Sequence, residues 1–173
     1  MDESRPCALY LVEKYGKDSK LLPEDVEARA RVFHDLFFDM GSYYSAVIGC
    51  AVSIGKIAQR IFKDLNVFQA PVIFMGAQEP APNALEKLKE VLGFMNEKVK
   101  KTGFASGTDH LTLADLSYLA TTSTLVATGI TDLPPELNEW YNKCKSLIPD
   151  YEKANGVGAE EFGQGFKNKG FFK

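Results

Sequence analysis

Residues that build covalent or metal-linked frameworks are scarce in this sequence. It has three cysteines and two histidines among 173 residues. Cys7, Cys50 and Cys144 are odd in number and far apart, and no Cys-x-x-Cys pair occurs. This distribution predicts neither a disulfide framework nor a zinc site. We expect no metal, and we expect the cysteines to pack as small apolar side chains.

Long apolar runs and a strong net charge are lacking as well. No apolar run approaches the roughly 18 residues of a membrane-spanning helix, and the polar start of the chain does not look like a signal peptide. Lys and Arg number 20 against 23 Asp and Glu, which gives a net charge of −3. This balance predicts no binding to nucleic acid or to an anionic membrane. With 45% hydrophobic residues, the chain is expected to be a globular, cytoplasmic protein.

What the sequence does have is helical periodicity. A shorter helix is predicted over residues 3–15, ended by Gly16. After residue 25, apolar residues recur at steps of three and four over about six helical turns. They are Val26, Ala30, Phe33, Phe37, Met40, Tyr44 and Val47. We expect this stripe to face the core, and polar residues such as Asp35 to lie on the opposite face.

Three further helices are predicted in the second half of the chain. One covers about residues 83–101. The next begins at Thr112, which has the spacing of a capping box with Asp115, where Asp stands for the usual Glu. Small residues along this helix allow other helices to approach closely, so we expect it to be the central helix. Another helix starts at Pro135 and stops before Pro149.

The tail over residues 151–173 combines several glycines with four phenylalanines. We expect it to lie over a surface rather than to form a long helix. No strand-like alternation occurs, so the predicted fold class is all-α, a helical bundle. Walker, GxSxG, HExxH and dinucleotide-binding motifs are also missing. The residues by themselves therefore indicate a soluble helical bundle and no particular chemistry.

Short segments spread along the chain carry a family resemblance. They are Glu3–Arg5, Tyr10–Lys17, Leu22–Pro23, Phe38–Gly41, Leu85–Leu88, Leu111–Leu116 and Trp140–Tyr141. In this order they resemble the arthropod delta/epsilon-class glutathione S-transferases. The resemblance implies the helical bundle of that family's C-terminal domain, with glutathione as co-substrate and no other cofactor.

The resemblance also implies an incomplete domain organisation. Residues 1–16 resemble a remnant of the last helix of the family's N-terminal thioredoxin-like domain, and residues 17–173 resemble its C-terminal all-α domain. The family's catalytic Ser or Tyr belongs to the part of the thioredoxin-like domain that has no counterpart here, so no catalytic residue is assigned. Residues 48–65 are interpreted as an insertion, either a real addition or a flaw in the gene model.

By resemblance, the glutathione site is the polar turn near the start of the chain. Glu3 and Ser4 match residues that hold the γ-glutamyl end of glutathione, and Arg5 lies beside them at the dimer contact. A carboxylate suits the ammonium group of that end. A hydroxyl, together with the N–H groups of a helix N-terminus, suits its carboxylate.

The resemblance also places an apolar pocket for the second substrate, a hydrophobic electrophile, along the long second helix and the tail. The matching positions are Met40, Tyr44, Val47, Phe74 and Phe171. Val47 stands where the family usually has an aromatic residue, and the smaller side chain would widen the pocket.

Two functions stay open at this point. The first is a glutathione S-transferase that conjugates glutathione to hydrophobic electrophiles in detoxification, forms a homodimer, and has little activity as this chain alone. The alternative is a non-catalytic, glutathione-transferase-like helical module used for protein association or for binding apolar ligands.

Overall fold

The fold is described by a computed structural model that covers residues 3–16, 19–54 and 83–168. Its regular structure in these ranges is entirely helical, which confirms the predicted all-α fold class. The helices are α1 (Ser4–Tyr15), α2 (Val26–Phe38), α3 (Tyr44–Ile54), α4 (Ala84–Thr102), α5 (Leu113–Thr128), α6 (Pro135–Leu147) and α7 (Val157–Asn168). A π-helical turn at Asp39–Tyr43 joins α2 to α3, and another at Glu152–Gly156 leads into α7.

The helix boundaries follow local sequence signals. The Asp25 carboxylate accepts a hydrogen bond of 2.8 Å from the Ala28 N–H and so caps the start of α2. Pro135 occupies the first turn of α6, where a missing N–H costs nothing. Gly103 and Gly129 end α4 and α5 with φ of 80° and 68°, a left-handed conformation that glycine adopts without steric penalty.

The second helix buries a different face from the one predicted. Val26 is 82% exposed and Phe37 is 65% exposed, so the expectation that their stripe faces the core is wrong for these positions. The buried line runs through Val32, Leu36 and Asp39 and continues into α3. Periodicity shows that a helix is amphipathic, but here polar side chains belong to the buried face and the apolar stripe lies largely at the surface.

Asp35 is the clearest of these polar core residues, and the prediction that it lies on the solvent face is wrong. Its carboxylate is 1% exposed. It accepts hydrogen bonds from Lys98, from the Ser106 hydroxyl at 2.9 Å and from the Tyr118 hydroxyl at 3.2 Å. Because these donors come from α4, from the loop after it and from α5, the carboxylate joins α2 to both neighbouring helices.

The central position of α5 and its capping box are confirmed. Both halves of the box are formed, and the fully buried Asp115 carboxylate accepts the Thr112 N–H at 2.9 Å. The other carboxylate oxygen accepts the Ala105 N–H at 2.8 Å and the Trp140 indole N–H at 2.9 Å. One side chain therefore fixes the start of α5, the loop before it and α6.

Within the tail, residues Val157–Asn168 form a helix of 12 residues, whereas the sequence predicted a segment that lies over a surface rather than a long helix. In α7, Gly163 lies so close to α5 that a Cβ atom built on it would be 2.3 Å from the Ala127 carbonyl oxygen. Phe166, one turn further on, is 3% exposed. The glycine that seemed to argue against a helix is thus what allows this helix to touch α5.

Replacement of Gly163 by Ala is expected to destabilise the fold by about 1–3 kcal/mol, because the new methyl group overlaps the α5 backbone. Gly165→Ala in the same helix is the matched control, since a Cβ there meets no atom within 4 Å. It should be neutral or stabilise by up to about 1 kcal/mol, the helix preference of Ala over Gly. Urea unfolding of both variants measures the difference, and equal midpoints would contradict the close approach.

Candidate functional site

A cavity of about 420 Å³ lies where the start of α1 meets α2, α3 and α5. Its walls come from these helices and from the π-helical turn before α7. The lining residues are Ser4, Arg5, Ala8, Leu36, Tyr44, Leu113, Leu116, Ser117, Ala120, Thr121, Thr124 and Asn155. The cavity therefore brings together two of the residues predicted for glutathione and one predicted for the hydrophobic substrate.

Arg5 is held in place by a buried ion pair. Its Nη2 atom lies 2.6 Å from Oδ2 of Asp39, whose side chain is 0% exposed. The same carboxylate accepts hydrogen bonds from the hydroxyls of Ser117 at 2.5 Å and Thr121 at 2.8 Å. The start of α1 is thus tied to the turn after α2 and to the middle of α5.

Ser4 takes its position from this arrangement. Nη1 of Arg5 donates a hydrogen bond of 3.0 Å to the Ser4 hydroxyl oxygen. The Ser4 side chain is exposed, and its own O–H can still donate to a ligand. Glu3 is the N-cap residue of α1, also exposed, and it makes no side-chain cap hydrogen bond. Its carboxylate is therefore not engaged in closing the helix end.

The rest of the cavity wall is mainly apolar. Ala8, Leu36 and Leu116 contribute to it from α1, α2 and α5. Tyr44 is 45% exposed, and the Arg5 guanidinium lies 5.8 Å from the centre of its ring. A cation over an aromatic face is attracted by the ring quadrupole. The site can accordingly take an apolar body beside a polar helix start.

The other predicted pocket residues lie elsewhere. Met40 is 43% exposed on the π-helical turn. Val47 is completely buried in the helical core and does not line the cavity. Phe74 and Phe171 fall outside the described residues, as does most of the predicted insertion at 48–65. Helix α3 itself runs through Gly49 to Ile54.

The two adjacent tyrosines at the start of α3 have different surroundings. Tyr44 lines the cavity, whereas Tyr43 is fully buried with its hydroxyl 2.8 Å from that of Thr122. Burial raises the pKa of Tyr43 well above its usual value, and the Asp39 carboxylate adds to the effect. Tyr43 is therefore a neutral core residue at physiological pH, and it has no direct role in the cavity.

Several site residues were not predicted from the sequence. Asp39 belongs to the Phe38–Gly41 segment that carried the resemblance, but it was not assigned to the site. Ser117 was predicted only as one of the small residues of a central helix and Thr121 was not assigned, although their spacing of four places both hydroxyls on one face. Asn155 gave no local signal, because the chain fold alone brings it to the cavity.

Two further kinds of feature are absent from the described part of the chain. Residues 3–16, 19–54 and 83–168 contain no group of three or more His, Cys, Asp or Glu side chains that could hold a metal ion. None of the helices in these ranges is both long and apolar enough to cross a membrane.

Solved structures of insect proteins are similar to this chain along nearly its whole length. A delta-class glutathione transferase from Nilaparvata lugens is 37% identical with a TM-score of 0.77, over 98% of this chain and 70% of that one. Glutathione S-transferase unclassified 2 from Bombyx mori is 32% identical with a TM-score of 0.75, over 96% and 68%. An epsilon-class enzyme from the housefly, Musca domestica, is 30% identical with a TM-score of 0.74, over 98% and 70%. No protein-family model matches the sequence.

These similarities and the helical architecture define the class of protein. The chain belongs to the glutathione S-transferase family. Its all-helical bundle matches the C-terminal helical domain of that family, and its structural neighbours are delta- and epsilon-class transferases of arthropods.

Replacement of Arg5 by Leu tests the anchor of the site. It should destabilise the fold by about 3 kcal/mol, the low end for a broken buried pair, because it leaves the Asp39 carboxylate buried without its cation while Arg5 itself is 23% exposed. The matched control is Glu27→Gln, which removes an equally short 2.6 Å pair with Arg31 at the surface and leaves the Arg31 hydrogen bond to the Ser106 carbonyl oxygen in place. An exposed pair contributes about 1 kcal/mol or less. Chemical unfolding compares the two, and losses of the same size would show that the Arg5–Asp39 pair is no anchor.

Proposed function

We propose that the cavity is the substrate site of a glutathione S-transferase, with glutathione at the start of α1 and a hydrophobic electrophile against the apolar wall. The observation that carries this proposal is the convergence of Ser4, Arg5 and Tyr44 on one cavity. Family membership supports it, since the relatives named above are glutathione transferases. Detoxification in the cytoplasm is part of the proposal.

The helix start supplies complementary groups for the γ-glutamyl end of glutathione. The carboxylate of that end meets the Ser4 hydroxyl and the unpaired N–H groups at the N-terminus of α1. The ammonium group meets the Glu3 carboxylate. Arg5 is already paired with Asp39, so it acts as a positioning residue that keeps Ser4 and the helix end beside the cavity.

The reaction is attack by the glutathione thiolate on an electrophilic carbon. A carbon–sulfur bond forms, and the electron pair displaced from that carbon leaves with a leaving group or moves into a conjugated acceptor. The apolar wall holds the electrophile close to the sulfur, which supplies proximity and orientation. Lowering the thiol pKa is the task of the family's catalytic Ser or Tyr, which was not matched in this sequence.

Glutathione binding is the first measurement. Calorimetry on the purified chain should show binding that Ser4→Ala weakens by about tenfold or more, since a hydrogen bond to a charged group contributes about 1.5–3 kcal/mol. Ser146→Ala is the control, because Ser146 is an exposed residue on α6 whose hydroxyl bonds only to its own helix. If Ser4→Ala bound glutathione as tightly as the unaltered chain, the start of α1 would not be part of the glutathione site.

Conjugation by the chain itself is expected to be slow. Without a group that stabilises the thiolate, glutathione in the site stays largely protonated near neutral pH and reacts as it does in water. Loss of free thiol in the presence of a hydrophobic electrophile, with and without the chain, measures this. A large acceleration by a preparation free of other transferases would show that the chain stabilises the thiolate by other means.

The non-catalytic alternative has its own support. Phe37, Met40 and Phe94 are large apolar residues with 65%, 43% and 46% of their surface exposed. Exposed apolar residues favour association with a second copy or another protein where they are contiguous, and the Phe94 ring lies 4.9 Å from that of Phe38, the neighbour of Phe37 in the chain. Glutathione binding separates the two proposals, because an association module has no need of it.

A further inference from the structure

The polar groups on the α5 wall of the cavity use their hydrogens inside the protein. The Ser117 and Thr121 hydroxyls donate to Asp39. The Thr124 hydroxyl donates to the Ala120 carbonyl oxygen at 3.1 Å. A hydroxyl whose hydrogen is engaged can still accept through its oxygen. Along this wall the protein therefore offers acceptors to a ligand.

Asn155 extends the same pattern from the π-helical turn before α7. Its Nδ2 atom donates to the Ser123 hydroxyl at 2.6 Å and to the Tyr151 hydroxyl at 3.2 Å. An amide nitrogen has two hydrogens, so both are accounted for. The carbonyl oxygen Oδ1 is the atom that Asn155 can present to the cavity.

The partners of Asn155 are themselves fixed. Ser123 is buried, and its one hydroxyl hydrogen is shared between the carbonyl oxygens of Leu119 and Ala120, each 2.9 Å from Oγ. Tyr151 is 6% exposed, with its hydroxyl 3.5 Å from that of Tyr141. An acceptor held by two anchored groups pays little ordering entropy when a ligand binds.

The Asn155 acceptor and the Arg5 cation lie at different heights along helix α5. Arg5 contacts α5 through Asp39 at the level of Ser117 and Thr121, whereas Asn155 contacts it at Ser123. With a rise of about 1.5 Å per residue, Ser123 lies about 9 Å beyond Ser117 and about 3 Å beyond Thr121 along the axis. The cavity thus has the Arg5 cation and the Ser4 hydroxyl donor at one end, and hydroxyl acceptors along α5 that lead to the Asn155 amide.

We propose that Asn155 is a specificity-determining residue of this cavity, which with Thr124 selects apolar ligands that carry a hydroxyl or N–H donor. This inference rests on the proposed function, since it names the class of second substrate. A ligand with a donor forms a hydrogen bond with Oδ1. An ether of similar shape displaces solvent from Oδ1 and gives it no hydrogen bond in return. Sites with committed polar groups reject analogues that lack the matching group.

A pair of ligands that differ in one hydrogen tests the proposal. Binding of 1-naphthol and of its methyl ether, 1-methoxynaphthalene, is measured by calorimetry on the full chain. We expect naphthol to bind about five- to tenfold more tightly, since a neutral hydrogen bond contributes about 1 kcal/mol. A preference for the ether would overturn the assignment of Oδ1 as the atom that faces the ligand.

Three variants test whether Asn155 causes the preference for naphthol over its methyl ether. In Asn155→Leu the preference for naphthol should fall about fivefold, because the Oδ1 acceptor is removed and one neutral hydrogen bond contributes about 1 kcal/mol. Asn155→Asp keeps acceptor oxygens but cannot donate to Ser123 and Tyr151, so it should retain a preference for naphthol while it lowers the melting temperature. Asn142→Leu, an exposed asparagine on α6 outside the cavity, should leave the preference unchanged. Thermal melting confirms that each variant is folded.

The outcomes separate this inference from the proposed function. If Asn155→Leu binds both ligands and keeps the full preference, Asn155 is not the determinant and the substrate site still stands. If the unaltered chain binds neither ligand, the cavity is no site for apolar substrates and both proposals fail. If it prefers naphthol but does not bind glutathione, the conjugating function fails and the role of Asn155 survives.

Discussion

Three buried carboxylates hold this helical bundle together. Asp35, Asp39 and Asp115 are at most 1% exposed, and transfer of a carboxylate from water to a protein interior costs several kcal/mol unless donors replace the water. Each of the three receives at least three hydrogen bonds, and their donors come largely from other elements than their own. The need to satisfy these groups therefore specifies which helices must meet.

The candidate site depends on one of these carboxylates. The Ser117 and Thr121 hydroxyls of α5 donate hydrogen bonds to the buried Asp39 carboxylate. The same carboxylate pairs with Arg5 and so holds the start of α1 in place. Helix α1 has no fully buried residue of its own, so it is attached through its apolar contacts and this ion pair. The position of Ser4 beside the cavity is consequently a product of the core, although Ser4 itself is at the surface.

The sequence predicted the helices better than their packing. Gly16, the Thr112–Asp115 box and Pro135 mark helix ends through local chemistry, and the structure has helix ends at each of them. The orientation of α2 and α3 could not be predicted in this way. Hydrophobicity assigns Asp35 to solvent and Phe37 to the core, while the structure does the reverse, because donors far away in sequence satisfy Asp35. Hydrogen bonds between residues far apart in the sequence therefore decide which face of α2 is buried, rather than the apolar stripe.

The position of Asn155 could not be predicted from the sequence either, because it depends on how the tail packs against α5. Close contact at Gly163 lays α7 on α5, and the π-helical turn in front of α7 then brings Asn155 against Ser123. A side chain at this turn can reach the cavity only if the two helices touch. The close contact at Gly163 thus helps to place the Asn155 amide in the same cavity as Ser4, Arg5 and Tyr44, which the family resemblance singled out.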